Sequence, residues 1–389
     1  MNVVAKSELS TAWLDDLNYL RAPEDLPRNA HIGLYGDGQY SRYLISVIEN
    51  ERPDVSIDFV VTTNKEGTYK GRPMMTVDAF LKAPPACDML VLTPLVWIKD
   101  ILRSLAGFPA EKIYVSTLVD CTNILTGYQP ERADPDKLGA KEVGALLLDD
   151  ESRREWAMVT GSMVTRDVSE CLRRFHRRES EEMHYTEFAG LRPGDCVVEG
   201  GILDGETTSK FSQVVGTTGM VYAFDPLGTR YAAKNLPDLG KPTCNVEVIA
   251  KALWSRDAQL SFVDQGAFTV TLEKTDGTAA DGEWVDAVSV DSFASARGLT
   301  HVDFIKLDTE GAEPNVLAGA AKTIKAMRPF LAISIYHTRD QYFSIPLTLA
   351  KELDDYAFIL RCYSPAALEV ILYACPKEKL PQLGANLPR

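Results

Sequence analysis

No stretch of the chain approaches the roughly 18 consecutive apolar residues of a membrane span, which excludes a helical integral membrane protein. It also lacks any CxxC pair or Cys/His spacing of a zinc site. The seven cysteines (87, 121, 171, 196, 244, 362, 375) are scattered, a usage that fits reduced, buried thiols better than a disulfide frame. Positive charge is in short supply. Lys and Arg total 41 against 55 Asp and Glu, a net charge of −14, which argues against nucleic acid or an anionic membrane as partner. The one basic run, "RRFHRR" (173–178), is followed at once by "ESEE" and reads as a solvated helix face. The opening "MNVVAKSELSTAWLDDLNYL" lacks the basic start and apolar run of a signal peptide. There is no fixed-period repeat and no low-complexity tract. A cytoplasmic protein is expected.

What is present is an ordinary globular balance, 45% hydrophobic and 25% charged, over 389 residues, enough for two domains with sizeable cores. Short apolar runs alternate with helical periodicity. "HIGLYG" (31–36), "SIDFVVTT" (56–63), "DMLVLTP" (88–94) and "KIYVST" (112–117) predict strands. "YSRYLISVIEN", "TVDAFLKA" and "VWIKDILRSLAG" predict helices between them. Such alternation implies a parallel sheet covered on both faces. "TGYQPERADPDKLG" (126–139) is rich in turn residues and charge and marks a boundary. A helical stretch follows, in which Trp156, Met163 and Val164 are expected to share a face. A second alternating unit begins at "DCVVEGG" (195–201), with strands "MVYAFDP" (220–226), "VEVIAKALW" (246–254), "VDFIKLD" (302–308) and "PFLAISIYH" (329–337). "AFILRCY" and "LEVILYA", joined by "SPAA", should close it as an antiparallel hairpin. The division expected is 1–125, a Rossmann-like domain; 126–189, a linker and helical lead-in; and 190–389, the second α/β domain.

The chemistry concentrates in that second domain. "CVVEGGILDGETT" (196–208) is a strand, a glycine turn and a helix start. Glycines let a ligand approach the backbone, and a helix N-terminus offers free N–H groups. Glu199 ends this strand and Asp225 ends the next, where an acid can hold the two ribose hydroxyls of an adenosine. The pattern is GGxxxG (Gly200, Gly201, Gly205), and Glu199 and Glu206 beside it would repel a pyrophosphate. The turn suits a ligand with a cationic amino-acid end and no phosphate, such as S-adenosylmethionine. A tight βα turn without a ligand is the plainer alternative. In "FIKLDTEGAEPNVLAG" (304–319), Glu310 and Glu313 flank a helix start marked by Pro314, where negative charge complements the helix dipole. Asp308 ends the strand, at the edge where open α/β sheets bind ligands.

From "HYTEFAGLRPGDCVVEGGILDGETTSKF" to "LEVILYAC", about half the chain resembles the FkbM family of S-adenosylmethionine-dependent methyltransferases. "VVEGG...DGETT", "VYAFDP", "VIAKALW", "SVDSF", "VDFIKLDTEGAEPNVLAGAAKTI", "RPFLAISIYH" and "EVILYA" occur in family order, and "FIKLDTEGAE" is the most specific. Asp225 stands where many members carry Glu, and Leu203 replaces a polar or aromatic residue. The resemblance implies a class I methyltransferase sheet, seven-stranded and ending in an antiparallel hairpin, beside the smaller N-terminal Rossmann-like domain. It implies S-adenosylmethionine as cofactor, with Glu199, Gly200, Gly201, Gly205, Glu206 and Thr207 at the methionine end. Asp225 would hold the ribose, Lys251 and Ala252 would flank the adenine, Asp308 would contact the cofactor, and the substrate would sit near Asp308, Glu310 and His337. The implied reaction is O-methylation of a sugar, glycoconjugate or other secondary-metabolite precursor. His337 or Asp308 is the candidate base; His337 reads equally as a strand-end histidine bonded to backbone. A divalent metal held by Asp308 and Glu310 is the lesser alternative; charge at a helix start explains the same carboxylates without one, so no metal is expected.

Two other functions stay open. "GLYGDGQYSRYL" (33–44) has Gly36 and Gly38, and through this loop and Arg42 the first domain would hold NAD(P) or a nucleotide sugar. However, "VVTTN" ends the next strand without the expected acid. A packing or homodimerisation domain is the alternative there. A scaffold that retains the fold without catalysis is the third reading.

Overall fold

A computed structural model describes residues 12–122, 128–177, 184–227, 245–264, 269–273 and 283–386. The chain folds into two compact units that interleave in sequence. One comprises 1–137, 156–182 and 362–369, and the other 138–155, 183–361 and 370–389. Among the described residues no helix is long and apolar enough to cross a membrane.

The first unit is a seven-stranded sheet of β1 (Asn18–Leu20), β2 (His31–Tyr35), β3 (Ser56–Thr62), β4 (Gly67–Tyr69), β5 (Arg72–Thr76), β6 (Met89–Leu92) and β7 (Ile113–Ser116), in the order β1-β7-β6-β2-β3-β5-β4. All the pairs are parallel except β4–β5. The strands predicted from apolar runs are present. Three short ones, β1, β4 and β5, carry no such run. β4 and β5 turn at Lys70 and Gly71, both with positive φ (51° and 77°), the signature of a tight hairpin. In the helix Asp150–Thr165, Trp156 and Met163 are buried but Val164 is 49% exposed. Val164 lies about 80° round the helix from Trp156, off its face.

The second unit is built on β8 (Cys196–Gly200), β9 (Met220–Phe224), β10 (Asn245–Ile249), β11 (Ala252–Leu253), β12 (Ala258–Asp264), β13 (Thr269–Glu273), β14 (Glu283–Val288), β15 (Phe304–Leu307), β16 (Phe330–Ser334), β17 (Tyr356–Cys362) and β18 (Val370–Pro376). The main sheet runs β10-β9-β8-β15-β16-β18-β17, parallel from β10 to β16, with β18 antiparallel to β16. This is the Rossmann-like class I methyltransferase topology. β8, β15 and β16 are buried along their whole length, which is why they are mostly apolar, with Glu199 in β8 and Lys306 in β15 as the charged exceptions. Helix Glu206–Val215 packs Phe211 edge-on against Phe304 of β15, with ring centroids 5.3 Å apart.

One predicted strand divides. "VEVIAKALW" splits at Ala250 and Lys251, leaving β10 in the main sheet and sending β11 into a separate four-stranded sheet, β11-β14-β12-β13. Strands β12 to β14 have no counterpart among the predicted elements. Their polar, alternating residues lack the buried-strand signal carried by β8 and β15.

Candidate active site

β8 is the central strand from which the chain leaves in both directions, to β9 on one side and β15 on the other. Its carboxyl end is the topological switch point where open α/β sheets bind ligands. Two glycines let the loops meet there. Gly201 has φ +80°, and a Cβ on it would lie 1.8 Å from the Asp308 carbonyl oxygen. A Cβ on Gly200 would lie 3.0 Å from both the Leu253 and Thr309 methyls. The Asp308 N–H donates to the Gly200 carbonyl at 3.0 Å. These two glycines thus bring β8 and β15 together at the edge.

Gly205 (φ +84°) is the N-cap of helix Glu206–Val215 and supplies no side-chain cap. The first-turn Glu206 N–H donates instead to Asp204 Oδ1 at 3.0 Å. Glu206 is exposed and pairs with Lys210 at 2.8 Å, and Thr207 is half-buried. Leu203 sits in the same loop at φ +52° with 77% of its surface exposed.

Glu199 is fully buried beneath this loop. Its Oε2 accepts from the Thr208 hydroxyl at 2.7 Å, and the Lys306 ammonium lies 3.8 Å from Oε1. The pairing follows from register, because Lys306 is directly opposite Glu199 across β8–β15. Lys306 also donates to the Gly201 carbonyl and sits 4.8 Å over the Tyr185 ring. Burial pushes the Glu199 carboxyl up to about 7, while Lys306 and Thr208 pull it down. The Glu199 oxygens face protein, so this residue shapes the turn from below.

Asp225 follows β9 and is half-buried. Its two carboxylate oxygens accept from the backbone N–H groups of Ile202 (3.1 Å) and Leu227 (2.7 Å). Each oxygen keeps a further lone pair. Lys251 is exposed and Ala252 half-buried, at the break between β10 and β11.

A second cluster stands at the carboxyl ends of β15 and β16. His337 Nε2 lies 3.3 Å from Asp308 Oδ1 and 3.5 Å from Glu310 Oε2, and Nδ1 lies 3.1 Å from Glu313 Oε1. The Tyr336 hydroxyl donates to Asp308 at 3.3 Å. Burial would depress the His337 pKa, but Glu313 and Asp308 more than offset it and hold it well above the ordinary histidine value. Burial would likewise raise the Asp308 carboxyl, yet His337 and Lys306 hold it below the usual range. His184 behaves oppositely: burial pushes it down to about 4 against the pull of Asp308.

This arrangement corrects the division of the three carboxylates into a helix start and one site residue. Glu313 is the first residue of its helix, but it is buried. Its Oε1 accepts from the Thr309 N–H (2.6 Å) and faces His337. Glu310 lies in the preceding turn at φ +53°. All three converge on one imidazole. Sequence patterning missed Lys306, Glu313, Tyr336 and Tyr185 as site residues. Lys306 had a signal, as a lone charge inside a strand otherwise fully apolar.

Residues 195–361 match the family model for the methyltransferase FkbM domain. This segment is similar to the methyltransferase FkbM domain. Among solved structures the chain resembles the FkbM methyltransferase of Methylobacillus flagellatus KT, with 15% identity, 94% of each chain covered and a TM-score of 0.61. That likeness concerns the fold. Smaller matches include an rRNA methylase from Streptococcus thermophilus (15% identity, 51% of this chain and 98% of that one, TM-score 0.34). Another is Aeropyrum pernix fibrillarin in complex with S-adenosyl-L-methionine (15% identity, 47% and 67%, TM-score 0.28). No curated protein matches the chain. Within the matched segment the glycine turn, Asp225 and the His337 cluster all lie at the carboxyl edge of one sheet.

Proposed function

We propose that the chain is an S-adenosylmethionine-dependent O-methyltransferase acting on a hydroxyl of a sugar, glycoconjugate or other secondary-metabolite precursor. The observation that carries this reading is Asp225. Its half-buried carboxylate is fixed by two backbone N–H groups beside the glycine turn, and its spare lone pairs suit a pair of ribose hydroxyls. When bound, S-adenosylmethionine supplies a methyl group activated on a sulfonium.

The chain's own residues would do the rest. Gly200, Gly201 and Gly205 keep the turn free of side chains. Glu206 and Thr207 lie at the helix start, and Lys251 and Ala252 at the strand break. Lys306 holds the turn's carbonyls in place, and Glu199 anchors Lys306 and Thr208 beneath it. The surplus of carboxylates around Asp308 favours a cationic ligand. Alignment of the acceptor oxygen and exclusion of water supply most of the rate. Asp308 is placed to accept a hydrogen bond from the acceptor hydroxyl and orient it. His337, held protonated among three carboxylates, is a poor proton acceptor in this state.

Calorimetry with S-adenosylmethionine on wild type and Asp225→Ala tests the reading. A tenfold or greater loss of affinity in the variant is expected. Absence of binding by wild type, or equal binding by both, would remove it. Transfer of labelled methyl to a panel of sugar and polyol acceptors then tests the acceptor class.

A further inference from the structure

We propose that His337, Asp308 and Glu310 form a binding site for a first-row divalent cation such as Mn2+ or Zn2+. Three observations support it. The first is spacing. A cation bonded at about 2.1 Å sets neighbouring ligand atoms about 3.0 to 3.4 Å apart for octahedral to tetrahedral angles. His337 Nε2 stands 3.3 Å from Asp308 Oδ1 and 3.5 Å from Glu310 Oε2. The group whose ligand atoms all lie within 4.8 Å of one another is Asp308, Glu313 and His337, so Glu310 would join the shell from its position 3.5 Å from Nε2.

The second observation is the imidazole itself. The His337 side chain is only 3% exposed, and neither ring nitrogen makes a well-angled hydrogen bond to the described residues. A buried polar group normally finds such a partner. Here the nitrogen points among carboxylates at distances that suit coordination better than donation.

The third is the surroundings. Glu313 Oε1 sits 3.1 Å from Nδ1, the other ring nitrogen, and is held by the Thr309 N–H. A carboxylate close to the far nitrogen of a histidine favours the tautomer protonated on that side, which leaves Nε2 free to bind a metal. Tyr336 steadies Asp308 in the same way. Asp308 and Glu310 are 24% and 33% exposed, so the site has a closed floor and a side open to solvent. One imidazole with two carboxylates favours Mn2+ or Zn2+ over Mg2+, which prefers oxygen. The binding claim stands on this geometry alone. A role for the ion, holding the acceptor hydroxyl at an open coordination position, rests on the methyl-transfer reading.

Equilibrium dialysis of the full chain against MnCl2 and ZnCl2, with bound metal quantified, tests the site. Wild type should retain one equivalent of at least one of the two ions. Asp308→Asn, Glu310→Gln and His337→Gln should each weaken binding at least tenfold. Glu313→Gln should weaken it by about 10- to 100-fold, and the distant Glu352→Gln should leave it unchanged. Should the buried His337→Gln fail to fold, the two more exposed carboxylate variants carry the same comparison. Folded wild type that binds neither ion stoichiometrically overturns the site, as does unchanged binding in Asp308→Asn. S-adenosylmethionine affinity, measured on the same samples, separates the two claims. Metal retained without nucleoside binding sinks the methyl-transfer reading alone, and the reverse sinks the metal site alone.

Discussion

Gly201 is the residue on which the edge most depends. An added Cβ would stand 1.8 Å from the Asp308 carbonyl, at a φ of +80° that side chains avoid. Gly201→Ala should cost about 2–5 kcal/mol, read by denaturant unfolding, from backbone strain and overpacking together. A change below about 1 kcal/mol would mean that the loops part without penalty. Glu199 makes a prediction in pH. Its carboxyl is raised from 4.5 to about 7, chiefly by burial, with Lys306 and Thr208 opposing and Asp225 and Asp308 adding to the rise. Its contribution to stability is therefore full below about 4.5 and is lost as pH rises through about 7. Two to three pK units correspond to about 3 kcal/mol. Glu199→Gln should thus gain stability relative to wild type as pH goes from 4.5 to 8, whatever its fixed cost from leaving Lys306 unpaired. Parallel pH curves for the two proteins in thermal unfolding would contradict this. Position along a strand made Glu199, Asp225 and Asp308 legible as sheet-edge acids. The convergence of Glu310 and Glu313 on His337 was not legible, because it depends on a positive-φ turn and on the neighbouring strand β16.

At the scale of elements, what could be read was what is buried on both sides. β8, β15 and β16 announce themselves as apolar runs, interrupted by a charge only at Glu199 and Lys306, and the helix between β8 and β9 by its glycine N-cap and period. Phe211 on that helix is fully buried and packs edge-on against Phe304. Phe211→Ala should cost about 3–5 kcal/mol in chemical denaturation, and it should loosen the helix start that borders the glycine turn. A stability loss under 1 kcal/mol would show that β15 is held by other means. The misread elements share a physical cause. β11 is two residues long, separated from β10 by a turn in which the Lys251 N–H bonds back to the Ile249 carbonyl at 2.8 Å. Nothing in "VEVIAKALW" distinguishes that turn from continuing strand, since no glycine, proline or asparagine marks it. β12 to β14 pair in a small sheet of their own, whose alternating polar residues carry no strong buried-strand signal. Lys70–Gly71, by contrast, is a turn pair whose hairpin the composition did allow.

For the whole molecule the remaining question is which of two Rossmann-like sheets binds a nucleoside. Both have a switch point, at β2 between β3 and β6 and at β8 between β9 and β15. Their edges differ. In the first unit, Gly36 (φ +113°) is tied down: the Ser41 hydroxyl donates to its carbonyl at 2.7 Å and lies 2.6 Å from the Thr93 hydroxyl. Ser41 and Thr93 thus spend their polar groups on one another and on the backbone. β3 ends in Thr62, whose hydroxyl is taken by Lys65, and no carboxylate waits there for a ribose. Both helix starts follow a glycine N-cap without a side chain, but only in the second unit does a carboxylate, Asp225, stand at the end of the neighbouring strand. A net charge of −14 also disfavours a pyrophosphate over a cationic ligand. The expected outcome is a selective one. S-adenosylmethionine at about 100-fold over its dissociation constant should stabilise the full chain by about 2.7 kcal/mol, a rise of several degrees in Tm. NAD and UDP-sugars at equal concentration should leave Tm unchanged, and Asp225→Ala should abolish the S-adenosylmethionine shift. A shift with NAD that survives Asp225→Ala would move the binding function to the first unit.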